Sequence, residues 1–390
     1  MADSIEKIDV FVANLDLGET YLGSLGDGEE VNSAGYFVRK TNSTVYVDKN
    51  RSLVVKITTK DGVIGWGETY GLVAPKAVAE LINDLLVNFL VGRDPFDVSA
   101  IYDQLYDLMR VRAYIGGFYL DALAAIDIAI HDIMGKSLGL PVHKLLGGKK
   151  HDQIHAYISG LPKDHIEERV EMAQNWQSKG FDAVKFHLPA AREGAHSEFK
   201  ALRAGLGDNF KIAGDLHWSQ TPASFIKLAK DVEPYRPWFL EAPLPTENFD
   251  GLAKIANESN ETIAVGEEWR SVFDAKLRID NKAVDIIQPE MGHTGITQFM
   301  KIGQYAEAHH LEIIPHATIG SGIFLAASLQ ASAALRNVVS HEYQHSILDS
   351  LSFMISDAIT CKNGSYSILE KPGIGVEPSA DMIKRMTLVK

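Results

Sequence analysis

From about residue 150 onward the chain alternates with a regularity that few folds accommodate. Apolar runs fall at Ile154–Ser159, Ala183–Leu188, Lys211–Leu216, Trp238–Glu241, Thr262–Glu267, Val284–Gln288, Leu311–His316 and, more weakly, Val338–Glu342. Amphipathic stretches such as His165–Lys179, Ala223–Val232 and Gln298–Ala308 lie between them. Eight short strands alternating with helices over roughly 190 residues predict a parallel sheet closed into a (β/α)8 barrel. A doubly wound open sheet is the competing arrangement. It needs a glycine-rich turn after its first strand, and Ser159-Gly160-Leu161-Pro162 is not one.

The preceding residues follow another plan. Ile8–Asn14 reads as a strand, and Leu53–Ile57 and Val63–Glu68 read as a hairpin turning at Lys60-Asp61-Gly62, because Asp-Gly between apolar runs favours a tight turn. Ala77–Leu90, Val98–Arg110 and Leu120–Gly135 read as helices, the last repeating Leu123, Ile126, Ile130 and Ile133 at three- and four-residue intervals. We therefore expect an α+β capping domain over residues 1–145, a catalytic barrel over 146–362, and a C-terminal segment, 363–390, that returns to the cap. A chain of 390 residues with 46% apolar content can bury both cores.

The balance of 38 Lys+Arg against 51 Asp+Glu gives −13, which weighs against a nucleic-acid partner. An anionic small molecule stays open, because a bound metal reverses the local field. The single cysteine, Cys361, rules out an internal disulfide and a cysteine-rich zinc module. Acidic residues near Met1 and the short apolar stretch Gly322–Leu335 point to a cytoplasmic protein without a membrane partner.

Active sites of such barrels are built at the C-terminal ends of the strands. Those ends carry Lys185-Phe-His187, Asp215-Leu-His217, Glu241, Glu267-Glu268, Gln288-Pro-Glu290, His316 and Glu342. Asp215, Glu241 and Glu267 end three successive strands at 26-residue intervals. Three carboxylates in one partly dry mouth cannot all stay ionised without a cation. Oxygen ligands in that number suit Mg²⁺, with Mn²⁺ as the alternative; zinc would prefer His or Cys. The competing reading makes these acids helix caps or partners of nearby cations.

With Gly65-Trp-Gly-Glu68, Asp127-Ile-Ala-Ile-His-Asp132 followed by Gly135-Lys136, and Leu145-Leu-Gly-Gly148, the chain resembles the enolase superfamily, best its mandelate racemase branch, over essentially its whole length. The resemblance implies Asp215, Glu241 and Glu267 as Mg²⁺ ligands, His316 as a proton carrier, and Glu342 as a hydrogen-bond partner of the substrate carboxylate. Asp215-x-His217 with His316 and Glu342 is most similar to the galactonate and mannonate dehydratases. That implies removal of the proton α to a sugar carboxylate, then loss of water to give a 2-keto-3-deoxy acid. A homo-oligomer is expected.

Two positions depart from the family pattern. Glu290 stands where the family usually has an Asp that pairs with the strand-seven histidine, and Lys185-x-His187 stands where racemases often have Lys-x-Lys. His316, His217, His187 and Lys185 are four proton-carrier candidates where two suffice. For elimination we assign His316 and His217 as the pair, Lys185 to neutralise the carboxylate and His187 to tune or replace one of the pair. Racemisation, epimerisation, or cycloisomerisation of an anhydro-sugar acid or lactone is the rival outcome of the same enolate. A binding-only barrel is the rival class, and it needs no proton carriers.

Trp269, Arg270 and His293 follow strand ends and are expected to face the pocket. The Gly/Asn-rich segment Tyr21–Asn50 is expected to close over the mouth, with Tyr36, Phe37 and Arg39 as substrate contacts together with Tyr70. Gly320-Ser-Gly322 reads equally as a phosphate site or a plain helix start. His151, His155 and His309-His310 are assigned no chemistry.

Overall fold

The computed structural model describes residues 3–15, 24–40, 43–317, 320–357 and 359–390. The cap opens with β1 (Ile5–Leu15), the short hairpin β2 (Tyr36–Arg39) and β3 (Thr44–Val47), then β4 (Asn50–Thr59) and β5 (Ile64–Tyr70). β4 and β5 are antiparallel, Val55 opposite Gly67, and Gly62 takes φ 84° at their turn. Helix α1 (Pro75–Glu80) runs through a π-helical stretch, Leu81–Leu86, into α2 (Val87–Leu90); α3 (Val98–Arg110), α4 (Gly117–Leu138) and α5 (Val142–Leu145) follow.

The cap is organised by α4, which is buried along most of its length. A β-carbon on Gly65 would lie 2.1 Å from the Ala129 carbonyl oxygen, and one on Gly67 1.8 Å from that of Ala125. Only glycine lets β5 rest directly on the helix backbone. On another side, Asp127 accepts hydrogen bonds from the Thr297 amide (2.8 Å) and hydroxyl. Asp132 accepts from the Trp66 and Ile374 amides, both at 2.9 Å, and pairs with Lys136 at 2.7 Å. These acids bolt cap, barrel and C-terminal segment to one helix.

The barrel strands are β6 (Gln153–Ser159), β7 (Ala183–His187), β8 (Lys211–Asp215), β9 (Leu240–Glu241), β10 (Ile263–Val265), β11 (Ile286–Ile287), β12 (Glu312–Ile313) and β13 (His341–Tyr343). They alternate with α6 (Ile166–Ser178), α7 (Ala195–Leu206), α8 (Pro222–Val232), α9 (Phe249–Glu258), α10 (Val272–Asp280), α11 (Met291–Ala308) and α12 (Ile323–Ala333); α13 (His345–Leu351) follows the last. Neighbouring strands pair in parallel from β6 to β12. An Ile313–Val338 bridge and the parallel β13–β6 pair close the ring. Tyr157, Ala183, Ala213, Phe239, Ala264, Ile286 and Ile314, one from each strand segment from β6 to β12, form a separate buried cluster, the plug expected of a small barrel.

The last residues divide between the two units. The hairpin β14 (Cys361–Lys362) and β15 (Ser365–Ser367) adds antiparallel to the start of β6, a pairing that the short polar strands did not announce. After α14 (Ala380–Arg385), β16 (Met386–Val389) pairs with β1, Val389 opposite Val10, in a cap sheet ordered β16-β1-β4-β5. Among the described residues, no helix is long and apolar enough to cross a membrane.

His341 on β13 is fully buried, its Nδ1 3.1 Å from the Glu342 carbonyl and its Nε2 2.8 Å from the Ser328 hydroxyl. The neutral ring with its proton on Nδ1 satisfies both, and burial depresses its pKa to about 4. An unfolded histidine titrates near 6.5, so this stabilisation is complete above that pH and is lost as the pH falls towards 4. Denaturant unfolding should therefore show a loss on the order of 3 kcal/mol across that window, and His341→Gln should flatten that part of the profile. A variant with the same slope as the parent would refute the assignment.

Candidate active site

The barrel places its polar residues by simple alternation. Side chains two apart on a strand share a face, so the plug residues Ala183, Ala213, Phe239, Ile286 and Ile314 put Lys185, Asp215, Glu241, Gln288 and His316 directly above them. One step further, His187, His217 and Glu290 reach the rim. On β10 the same phase gives Ala264 and then Gly266, which has no side chain, so Glu267 is out of step. Gly266 has φ 136°, and a β-carbon there would lie 2.9 Å from the Gln288 amide nitrogen. That glycine bends the strand end next to Glu267. Ala242 (φ 43°), His217 (φ 47°) and Trp218 (φ 53°) show the same left-handed backbone after the other acids, strain of the kind that collects at functional sites.

Two linked groups result. Lys185 is wholly buried, with its Nζ 2.5 Å from Glu241 Oε1 and 3.1 Å from Glu342 Oε1. His316 has Nδ1 2.7 Å from Glu290 Oε2 and Nε2 3.1 Å from Glu267 Oε2 and 3.7 Å from Glu342 Oε2. Glu342 also accepts from the Ala317 amide at 2.7 Å. Asp215, opposite Glu241 in the β8–β9 register, accepts from the His217 amide at 2.9 Å and faces His217 Nε2 at 2.9 Å. His187 Nε2 is 3.3 Å from the Ser159 hydroxyl and 4.0 Å from Asp215.

Ligand atoms of Glu241, Glu267 and His316 lie within 4.8 Å of one another. The expected ligand set was Asp215, Glu241 and Glu267. The structure groups two of these with His316, while Asp215 is turned towards His217. The electrostatics fit a cation. Burial, then Asp215 and Glu342, raise Glu241; burial, then Asp215 and Glu241, push Glu267 well above the carboxylate range, although Lys185 and His316 respectively oppose the rise. Burial works against the charged His316, yet Glu267, Glu342 and Glu290 hold it well above the usual histidine value. Glu342 is the reverse: despite burial, His316 and Lys185 bring it down to about 2. Burial carries His187 down to about 3, so it works as a neutral hydrogen-bonding ring. Sequence alternation alone would have found Ser159 and the Gln288 amide that donates to Glu241; neither was singled out.

Several expected pocket residues have other partners. Phe37 packs on Tyr46 (5.9 Å between rings) under the Arg39 guanidinium, which pairs with Glu29 at 2.8 Å. The Tyr36 hydroxyl accepts from the Ala74 amide at 3.1 Å. All three side chains are thus engaged within the cap; positions 21–23 and 41–42 of that segment lie outside the described residues. Trp269 is 1% exposed and packs under Arg278. Arg270 and His293 both bind Asp121 of α4, at 2.9 and 2.7 Å. Tyr70 does reach the constellation, donating to Glu290 Oε2 at 3.0 Å. The amides of Ser321 and Phe324 at the start of α12 are taken by Glu68, at 2.6 and 3.0 Å, so that helix end already holds a carboxyl group from the cap.

Comparison with known proteins agrees with this fold. The family model for the mandelate racemase / muconate lactonizing enzyme N-terminal domain matches residues 38–147, and the enolase C-terminal domain-like model matches 168–382. A D-xylonate dehydratase of Haloferax volcanii is 30% identical over 87% of both chains. A D-galactonate dehydratase of Xanthomonas oryzae pv. oryzae is 31% identical over 88% of this chain and 93% of its own. Among solved structures, a candidate isomerase from Sinorhizobium meliloti superposes with TM-score 0.98 at 54% identity over 99% of this chain and all of its own. The 3,6-anhydro-D-galactonate cycloisomerase of Zobellia galactanivorans gives 0.82 at 27% identity, over 99% of this chain and all of its own. The chain is an enzyme of the enolase superfamily, with the domain pair of its mandelate racemase branch.

Proposed function

We propose that this enzyme removes the α-proton of a sugar acid and eliminates the β-hydroxyl, giving a 2-keto-3-deoxy acid. The observation that carries the reading is His316, held by Glu290 on one nitrogen and facing Glu267 with the other, beside the Glu241–Glu267 acid pair. Its sugar-acid dehydratase relatives supply the substrate class. Glu241 and Glu267, with Asp215 next to them, would hold Mg²⁺, which would stabilise the negative charge gathering on the substrate carboxylate as the C–H bond breaks. With Glu267 committed to the metal, the pull that keeps His316 protonated would be relieved; the neutral ring then takes the α-proton, and the Glu290 carboxylate orients it and offsets the imidazolium charge that forms. His217, at the end of β8 and four strands round the barrel from β12, gives the proton that leaves with the β-hydroxyl as water. Lys185, fixed between Glu241 and Glu342, holds their charge and is poorly placed to act as a free base.

The S. meliloti and Z. galactanivorans neighbours favour a second reading, isomerisation of the same carbanion without loss of water. Product chemistry separates the two. A panel of aldonates and aldarates, D-xylonate and D-galactonate included, should give with Mg²⁺ a keto acid that reacts with semicarbazide. Deuterium incorporation with no keto acid would move the assignment to the isomerase.

Two variants test the residues. Glu241→Gln should weaken Mg²⁺ binding, measured calorimetrically, by at least ~100-fold and remove turnover; unchanged metal affinity would remove Glu241 from the ligand set. His316→Asn should stop exchange of the substrate α-proton in D2O while leaving substrate binding measurable. Exchange at the parent rate would transfer the proton to another group.

A further inference from the structure

The sequence singled out Tyr70, Arg270 and His293 as substrate contacts; in the structure Arg270 and His293 bind Asp121 of the cap, and Tyr70 stacks on His293 while its hydroxyl reaches Glu290 of the barrel. Asp121 lies on the mostly apolar α4 and is 2% exposed. Arg270 engages it with Nε (2.9 Å) and Nη2 (3.3 Å), and His293 Nδ1 lies 2.7 Å away. The His293 ring so fixed stacks on Tyr70, centroids 4.3 Å apart and planes 15° from parallel, with Phe324 also flanking Tyr70 at 5.8 Å. Tyr70 then donates its hydroxyl to Glu290 Oε2 at 3.0 Å, the same oxygen that holds His316 Nδ1 at 2.7 Å. Gly292 makes the approach feasible: a β-carbon there would lie 3.0 Å from Tyr70 Cδ2.

We propose that Asp121 and Tyr70 are positioning residues for the proton carrier: cap helix α4 sets His293, His293 sets Tyr70, and Tyr70 fixes the Glu290 carboxylate that aims His316. The inference rests on the reading of His316 as the α-proton carrier. Glu290 has one more methylene than an aspartate and therefore one more rotatable bond. The Gly292 amide holds its other oxygen at 3.2 Å, and the tyrosine hydroxyl supplies the fixed point that the longer side chain needs. A buried ion pair is an expensive way to join two domains, because desolvation consumes most of its Coulombic gain. What Asp121 adds over an apolar contact is direction, through the two donors that it orients.

The test uses the full-length enzyme labelled with ¹⁵N-histidine. The His316 Nδ1–H donated to Glu290 should give a low-field proton resonance, assigned by its loss in His316→Asn. Tyr70→Phe, Asp121→Asn and Gly292→Ala should each shift or broaden it, and Asp121→Glu should restore it in part. With the sugar acid that the parent turns over, Tyr70→Phe and Asp121→Asn should each lower kcat by roughly 10- to 100-fold with KM changed less than about two-fold. The double variant should be no slower than the worse single one. A resonance unmoved by Tyr70→Phe, or losses that multiply in the double variant, would overturn the proposal. If the parent turned over no sugar acid, the proposed function would fail, and the resonance would still decide whether the cap positions the dyad.

Discussion

Buried negative charge at the mouth of the barrel is the constraint around which the rest of the molecule is arranged. Asp215, Glu241, Glu290 and Glu342 are almost fully shielded from solvent, and the partly exposed Glu267 side chain joins them. Such groups repel one another in a medium that screens poorly. Lys185 sits between two of them and His316 among three, which accounts for the upward pull on both cations. Two cations do not balance five carboxylates. The remaining imbalance, which raises Glu241 and Glu267, is the electrostatic case for a dication; the fold tolerates so many acids at one rim because each is tied to a neighbour's N–H or cation.

The fold and the core of the site were legible because a strand has only one degree of ambiguity, its phase. Once the apolar runs were located, the residues two positions beyond each plug residue had to share one face, and Lys185, Asp215, Glu241 and His316 followed. Glu267 is the exception. A strict two-residue period turns it away, and only the left-handed Gly266 reverses that, which a glycine before an acid hints at without proving. Asp215 was legible in place but not in partner, because the turn that folds His217 back on it uses two consecutive non-glycine residues with positive φ.

Loops carry no such phase, and there the reading from sequence was weakest. Phe37 and Arg39 are aromatic and cationic residues near a strand end, as substrate contacts often are. They are equally what a small hairpin needs to make a core of its own, and the structure uses them so. Gly320-Ser-Gly322 read equally as a phosphate site or a helix start, and the group that takes its amides is the carboxyl of Glu68, some 250 residues earlier in the chain. No local pattern encodes a partner at that distance.

Those long-range partners share a feature that bears on why the enzyme has two domains. Glu68, Thr69 and Tyr70 are consecutive on β5. Glu68 holds the start of α12, Thr69 donates to the Gly292 carbonyl, and Tyr70 donates to Glu290. One cap strand therefore grips the segments after both the sixth and the seventh barrel strands, the two that carry Glu290 and His316. A histidine mounted on barrel loops alone would depend on the rigidity of those loops. Here its orientation is referred to a sheet that rests on α4 through Gly65 and Gly67, and α4 is itself bolted to α11 through Asp127. The closed path from α4 through β5, Glu290 and α11 back to α4 makes the cap part of the frame that holds Glu290 and His316.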